Sequence, residues 1–267
     1  MPSTSELCSD LQDEHESLDR IVADLGSEQW DQPTRAAGWD VRDTISHLCF
    51  FDEAATLAIE DPPGFEKWRE DLVGNMSRGS TQDVDVGRDL ANDVWLLDRW
   101  RRSRDRFVEV ATAAGAEPKP RRVAWFGPPM SLPSFVTARI METWAHGVDI
   151  RDALDLPLQP DASTGRLRHI CHLAYGARAF TFAAHGVTDP GDPVRFEVSG
   201  PDGSTWTWGP EDADQRITGT ALEIALVFTQ RRHPGRTSVR AHGSTAETWL
   251  SIAQAFAGPP TITAEDR

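Results

Sequence analysis

Two separated segments of this chain carry residues that together could hold one metal ion, and few folds would let those segments meet. The first runs Gly38-Trp39-Asp40-Val41-Arg42-Asp43-Thr44-Ile45-Ser46-His47-Leu48, the second Glu142-Thr143-Trp144-Ala145-His146-Gly147-Val148-Asp149. Residues four apart stack on one face of a helix, so Glu142 and His146 project together. With His47 from a different helix they supply three nitrogen and oxygen donors and leave a position for water or substrate. That is the ligand count of a catalytic zinc site, not of a closed structural one. Only a fold that packs the two helices together brings these donors into one place.

A helical Glu-x-x-x-His pair is weak evidence alone, because most such pairs are surface contacts or ordinary hydrogen bonds. The rest of the face says more. Phe135, Arg139, Glu142, His146 and Asp149 lie roughly in line, a mixture that suits neither a plain core nor a plain solvent face. Asp149 is either a ligand or the partner that orients an imidazole. His47 sits beside Ile45, Leu48 and Phe51, where a lone histidine is ordinarily a satisfied core residue. Trp39 reads as a hydrophobic staple at the start of its helix. His15, between Leu11 and Leu18, reads as core on burial grounds, with an approach to the site from a third helix as the alternative.

The pattern around these segments predicts four helices. Leu7, Leu11, Leu18, Ile21, Val22 and Leu25 give a first helix over 5–25, stopped by Gly26. Asp40 is the expected N-cap of a second helix reaching residue 59, with Asp43 favouring the dipole in its first turn. A third covers 89–114; its arginine-rich centre, Arg99 to Arg106, reads as a solvated face. A fourth covers 133–154, with Pro133 tolerated in the first turn. The polar, glycine-containing stretch 66–87 reads as a long loop or excursion. Four helices with one polar-ligand face fit a bundle with a metal site inside.

Beyond a linker at 156–161 the pattern changes to α+β. A helix is expected over 164–184, then a strand carrying Val194, Phe196 and Val198. A turn at Gly200-Pro201-Asp202-Gly203 leads into a returning strand, Thr205-Trp206-Thr207-Trp208. Helices over 220–231 and 244–257 flank a further strand at 238–241, which predicts a small antiparallel sheet. The domain reading is therefore 1–155 for the bundle and 162–267 for a smaller α+β part. His169 and His172 flank Cys171 at a spacing that favours no shared ligand face, and they read as structural.

Composition excludes several partners. With 27 Lys+Arg against 42 Asp+Glu the net charge is −15, which repels phosphate backbones and acidic membrane surfaces. RNA modification fits that charge poorly. Three scattered cysteines, Cys8, Cys49 and Cys171, form neither a disulfide framework nor a metal knuckle and suit a reducing compartment. No signal peptide or membrane-spanning run is visible, so a cytoplasmic location is expected. Phosphate-loop and nucleophile-elbow motifs are lacking.

The segment Gly38 to Leu48 resembles the signature that opens the second helix of the mycothiol-dependent maleylpyruvate isomerase family, which is grouped with the DinB-like four-helix bundles. The resemblance covers about Ser5 to Leu154. It implies metal ligands at His47, Glu142 and His146, with zinc as the expected metal and nickel, cobalt or iron compatible with the same donors. It also implies a sterol carrier protein-like C-terminal domain that lends an arginine to the active-site cleft. Thr218-Gly219-Thr220-Ala221 and the helix ending Gln230-Arg231-Arg232 look similar to that region, which points to Arg231 or Arg232. The competing explanation is that basic residues near a helix C-terminus serve its dipole.

The family's cosubstrate is mycothiol, a low-molecular-weight thiol. Its thiolate adds to the C=C bond of maleylpyruvate, rotation follows, and elimination gives fumarylpyruvate. Relatives among the DinB-like proteins are thiol S-transferases acting on electrophiles, and fold does not choose between the two reactions. The functional expectation is a divalent-metal-dependent enzyme with a small-molecule electrophile and mycothiol as partners. The alternative is a metal-binding or small-ligand-binding protein without turnover; among ten tryptophans, Trp39, Trp125 and Trp144 could line an apolar pocket.

Overall fold

The computed structural model describes residues 2–77, 87–91, 94–158, 164–256 and 258. They form two compact units, Met1–Leu156 and Pro157–Arg267. The first unit is helical: α1 (Thr4–Val22), α2 (Ser27–Trp30), α3 (Val41–Glu60), α4 (Pro62–Ser77), α5 (Leu96–Gly115) and α6 (Leu132–Ala153). A two-residue antiparallel pair, β1 (Arg122–Val123) and β2 (Met130–Ser131), precedes α6. The long helices α1, α3, α5 and α6 pack on one another. Among the described residues no helix is long and apolar enough to cross a membrane.

Local chemistry sets the ends of these helices. Ser3 and Glu6 form a reciprocal capping box on α1, and Asp40 and Asp43 form one on α3, with Asp43 N–H donating to Asp40 Oδ1 at 2.7 Å. Ser131 caps α6, and Pro133 sits in its first turn where no backbone donor is needed. Helix α1 stops at Val22, short of Gly26, and α5 starts at Leu96 after a short 3-10 turn at Arg88–Leu90. One apolar cluster joins Leu7, Leu11, Phe65, Phe107, Phe135 and Ile140. A second joins Leu18, Ile45, Leu48, Trp100 and Ile150.

Two expectations for this unit need correction. Residues 66–77 are not loop: they complete α4, which buries Phe65 and half-buries Trp68. So little buried apolar surface leaves a weak periodic signal. Residues 78–86, the latter part of the expected excursion, lie outside the described residues. The arginine-rich centre of α5 is also not a simple solvated face. Arg104 is buried, donating to His15 O at 2.9 Å and Asp19 Oδ2 at 2.5 Å on α1, and Arg101 joins the same Asp19.

The second unit is α+β. It contains α7 (Leu167–Gly176), α8 (Arg178–Ala184), β3 (Val194–Ser199), β4 (Thr205–Trp208), β5 (Gln215–Thr220), α9 (Ala221–Phe228), β6 (Arg240–His242) and α10 (Ser244–Ser251). The helix expected over 164–184 is therefore two helices, broken at Ala177. The sheet has the order β4-β3-β5-β6. It is mixed, not antiparallel throughout, because β5 runs parallel to β3 with Phe196 opposite Ile217. Strand β5 gives little sequence signal, since Ile217 is its one buried residue. Phe196, Phe228, Trp249 and Tyr175 pack ring on ring to form the core of this unit. His172 accepts from Trp208 Nε1 at 3.0 Å beside buried Cys171. Residues 159–161 of the expected linker and residue 257 of the last expected helix lie outside the described residues.

Candidate metal centre

His47 is delivered by α3, and the sequence just before that helix fixes its start. Gly38 takes φ +77°, a left-handed conformation that glycine adopts without steric cost. Thr34 N–H donates to Trp39 O at 2.8 Å across that turn, and the chain enters α3 through the Asp40–Asp43 box. Asp43 also meets Arg88 at 2.9 Å. Behind His47 lies Gly87 at φ +88°, where an added Cβ would stand 3.1 Å from His47 Cα and from Phe50 Cβ. Its carbonyl accepts from Ser46 Oγ. The turn at Gly87 thus seats directly on the helix surface that bears the histidine.

Helix α6 supplies the other donors, and the mixed face noted in the sequence divides by depth. Phe135 packs edge-on to Phe107 and Trp125 in the core. Arg139 is buried against Asp52 of α3. Glu142 and His146 are half-buried beside His47, and Asp149 is buried beneath His146. One donor atom from each of His47, Glu142 and His146 lies within 4.8 Å of the others. His146 Nε2 is 3.6 Å from Glu142 Oε2, while His146 Nδ1 lies 3.2 Å from Asp149 Oδ2. Asp149 therefore lies on the Nδ1 side of the imidazole, near enough for a carboxylate that orients a ligating histidine but without an aligned hydrogen bond to it.

The donor set fits a divalent metal ion. Two ligands bound tetrahedrally to zinc lie about 3.4 Å apart, so the Glu142–His146 separation is within a few tenths of an ångström of the requirement. The His47 and His146 rings are 5.0 Å apart at their centroids. The buried Trp39 ring lies 5.0 Å from His47 and nearly parallel to His146. Phe51 lies edge-on to His47 at 4.6 Å. Phe51, Trp125 and Phe126 continue as packed rings. Trp144 is buried in the bundle.

His15 is buried and outside the donor set, its ring 6.3 Å from Trp100. Arg231 and Arg232 follow α9 in the second unit. The helix ends there in a Schellman arrangement, with Gln230 at φ +60° and Arg231 N–H reaching Leu226 O. Arg231 Nη1 donates to Thr229 O and Arg232 Nη1 to Arg231 O, both at 2.8 Å. Both guanidinium groups thus serve carbonyls near the helix C-terminus. Asp52 was not singled out in the sequence, although a carboxylate between Phe51 and Ala54 in an apolar helix was its available signal.

Residues 11–151, which include all three donors, match the family model of the mycothiol maleylpyruvate isomerase N-terminal domain. The chain belongs to this family. In the second unit, residues 190–242 match a model described as wyosine base formation, a span that runs through β3, β4, β5, α9 and β6. Two uncharacterized proteins, from two strains of Mycobacterium tuberculosis, are each 42% identical over 252 residues, covering 94% of this chain and 95% of theirs. Two solved structures share the fold: the mycothiol-dependent maleylpyruvate isomerase, at 16% identity and TM-score 0.53, and a histidine-to-alanine mutant of it, at 15% and 0.52. Each covers 92% of this chain and 94% of its own. At such identity the likeness speaks for the fold alone. That fold is mostly helical with an α+β C-terminal part.

Proposed function

We propose that this member of the mycothiol maleylpyruvate isomerase family is a divalent-metal-dependent enzyme that uses a low-molecular-weight thiol, mycothiol in the family's case. The observation that carries the reading is the convergence of His47, Glu142 and His146 from two helices. Zinc suits two imidazoles and a carboxylate, and nickel, cobalt or iron would be accepted by the same donors. When bound, such an ion supplies a Lewis-acid position at which a thiol loses its proton near neutral pH.

The protein's own contribution is positioning. Glu142 and His146, one helical turn apart, present two donors on a rigid element, and His47 completes the set from α3. Asp149 places a carboxylate 3.2 Å from His146 Nδ1, and Nε2 is the nitrogen on the Glu142 side. Trp39 and Phe51 set apolar ring surface against the His47 imidazole. Arg231 or Arg232 is proposed to hold a carboxylate of substrate or thiol through its planar fork.

Two reactions remain open to this site: cis-trans isomerisation of a maleylpyruvate-type substrate, and S-transfer of the thiol to an electrophile. They differ in what happens to the thiol. An isomerase releases it unchanged, so catalytic amounts support many turnovers; a transferase consumes one thiol per product. The parent should purify with about one equivalent of metal and turn over an electrophile only with thiol present. His47→Ala and His146→Ala should lose metal and turnover together. Equal metal content and activity in parent and variants would remove this reading.

A further inference from the structure

Beyond the donor set, the same two helices are joined by a buried ion pair. Arg139 of α6 donates through Nη2 and Nε to Asp52 Oδ1 of α3 at 2.9 and 3.2 Å, with the two side chains only 4% and 1% exposed. A pair this deep is an inefficient source of stability. Desolvation of two charges offsets their attraction, and apolar residues of similar volume often serve as well or better. Burial pushes the Asp52 carboxyl up from the usual carboxylate range, and the Arg139 guanidinium works against that rise. The Trp100 indole lies close enough to assist the carboxylate, without a well-aligned bond to Oδ2.

What the pair does supply is register. Asp52 lies beyond His47 in the C-terminal direction of α3, by about 7.5 Å of rise. Arg139 lies before Glu142 on α6, by about 4.5 Å. Antiparallel helices place such residues side by side, so the ion pair and the donor set are two successive cross-links along one seam. Arg139 and His146 also share a helical face. Sliding α6 past α3 by one residue, about 1.5 Å, would break the fork and carry Glu142 and His146 away from His47. Metal–ligand distances tolerate only about 0.2 Å.

We infer that Arg139 and Asp52 are positioning residues, a fork that locks α6 against α3 so that His47 meets Glu142 and His146 in one coordination sphere. The inference rests on the metal-dependent reading above. It assigns the pair to metal affinity, not to stability, and the two can be separated.

The test titrates cobalt(II) into metal-free full-length protein, following its visible absorption and its dissociation constant against a chromophoric chelator, beside denaturant unfolding. The variants are Arg139→Lys, Asp52→Asn, and the double apolar replacement Asp52→Leu with Arg139→Met. Phe107→Leu, in the core between α5 and α6, is the control for lost stability. Each pair variant should bind cobalt about tenfold more weakly or worse, with an altered spectrum. The double replacement should regain the parent's stability and keep the weakened binding, whereas Phe107→Leu should lose stability and bind as the parent does. If the single variants do not fold, the double replacement carries the test. Parent-like affinity and spectrum in the double replacement would overturn the positioning role alone, as would affinity that simply follows stability across all variants. A parent that takes up no more cobalt than His47→Ala would instead overturn the metal reading, and this inference with it.

Discussion

A histidine buried without hydrogen-bond partners is tolerable while neutral and costly once protonated. His15 is in that position: neither ring nitrogen finds a partner among the described residues. Burial first, then the charges of Arg104 and Arg139, hold its pKa well below 6.5. In the unfolded chain the same imidazole takes up a proton near pH 6.5. Below that pH the unfolded state therefore binds a proton that the folded state refuses, so stability is full above it and declines as pH falls. The slope approaches about 1.4 kcal/mol per pH unit. Denaturant unfolding of metal-free protein between pH 7.5 and 5 should show this decline, and His15→Leu should flatten it by that amount. The variant should match the parent's stability near neutrality, because an apolar side chain leaves no unpaired polar atom. Parallel pH curves for the two proteins would refute the assignment. The sequence placed His15 in the core from its apolar neighbours alone. It could not place Arg139 opposite Asp52, because that pairing depends on the relative register of two distant helices.

At the scale of the element, legibility followed the number of independent signals. Helix α3 announced itself through Asp40 as N-cap and Asp43 in its first turn, and its observed bounds sit within a residue of those expected. Helix α4 and strand β5 had little buried apolar surface to mark them, and the parallel pairing of β5 with β3 depends on contacts distant in sequence. Gly87 likewise meant nothing in the sequence beyond a possible turn. In the fold it combines φ +88° with a backbone laid against His47 and Phe50. An alanine there is strained twice, by its dihedral and by contacts of 3.1 Å. Gly87→Ala should cost more than about 1 kcal/mol and weaken metal binding, since the turn presses on the helix beside the donor. Unfolding and cobalt titration of this variant check both effects; unchanged values in both would mean that the turn moves freely aside.

For the whole molecule, the division into two units makes a separable claim about metal and turnover. His47, Glu142 and His146 all belong to the first unit, whose apolar clusters draw on α1, α3, α5 and α6. A fragment of residues 1–158 should therefore fold and bind metal with the parent's affinity, because the three donors and the helices that carry them are retained. Thiol-dependent turnover should fail in that fragment, since the arginines proposed to grip a carboxylate lie beyond α9. In the full chain, Arg231→Ala or Arg232→Ala should keep metal affinity and raise the KM for a carboxylate-bearing substrate or thiol. Rescue by lysine should be poor, because a point charge does not reproduce the fork. If instead both variants turn over as the parent does while the fragment is inactive, the arginines are helix-end residues, as their bonds to Thr229 O and Arg231 O suggest. The second unit would then act through other groups. Metal capture thus tests the fold of the first unit, and the KM shift tests what the second adds.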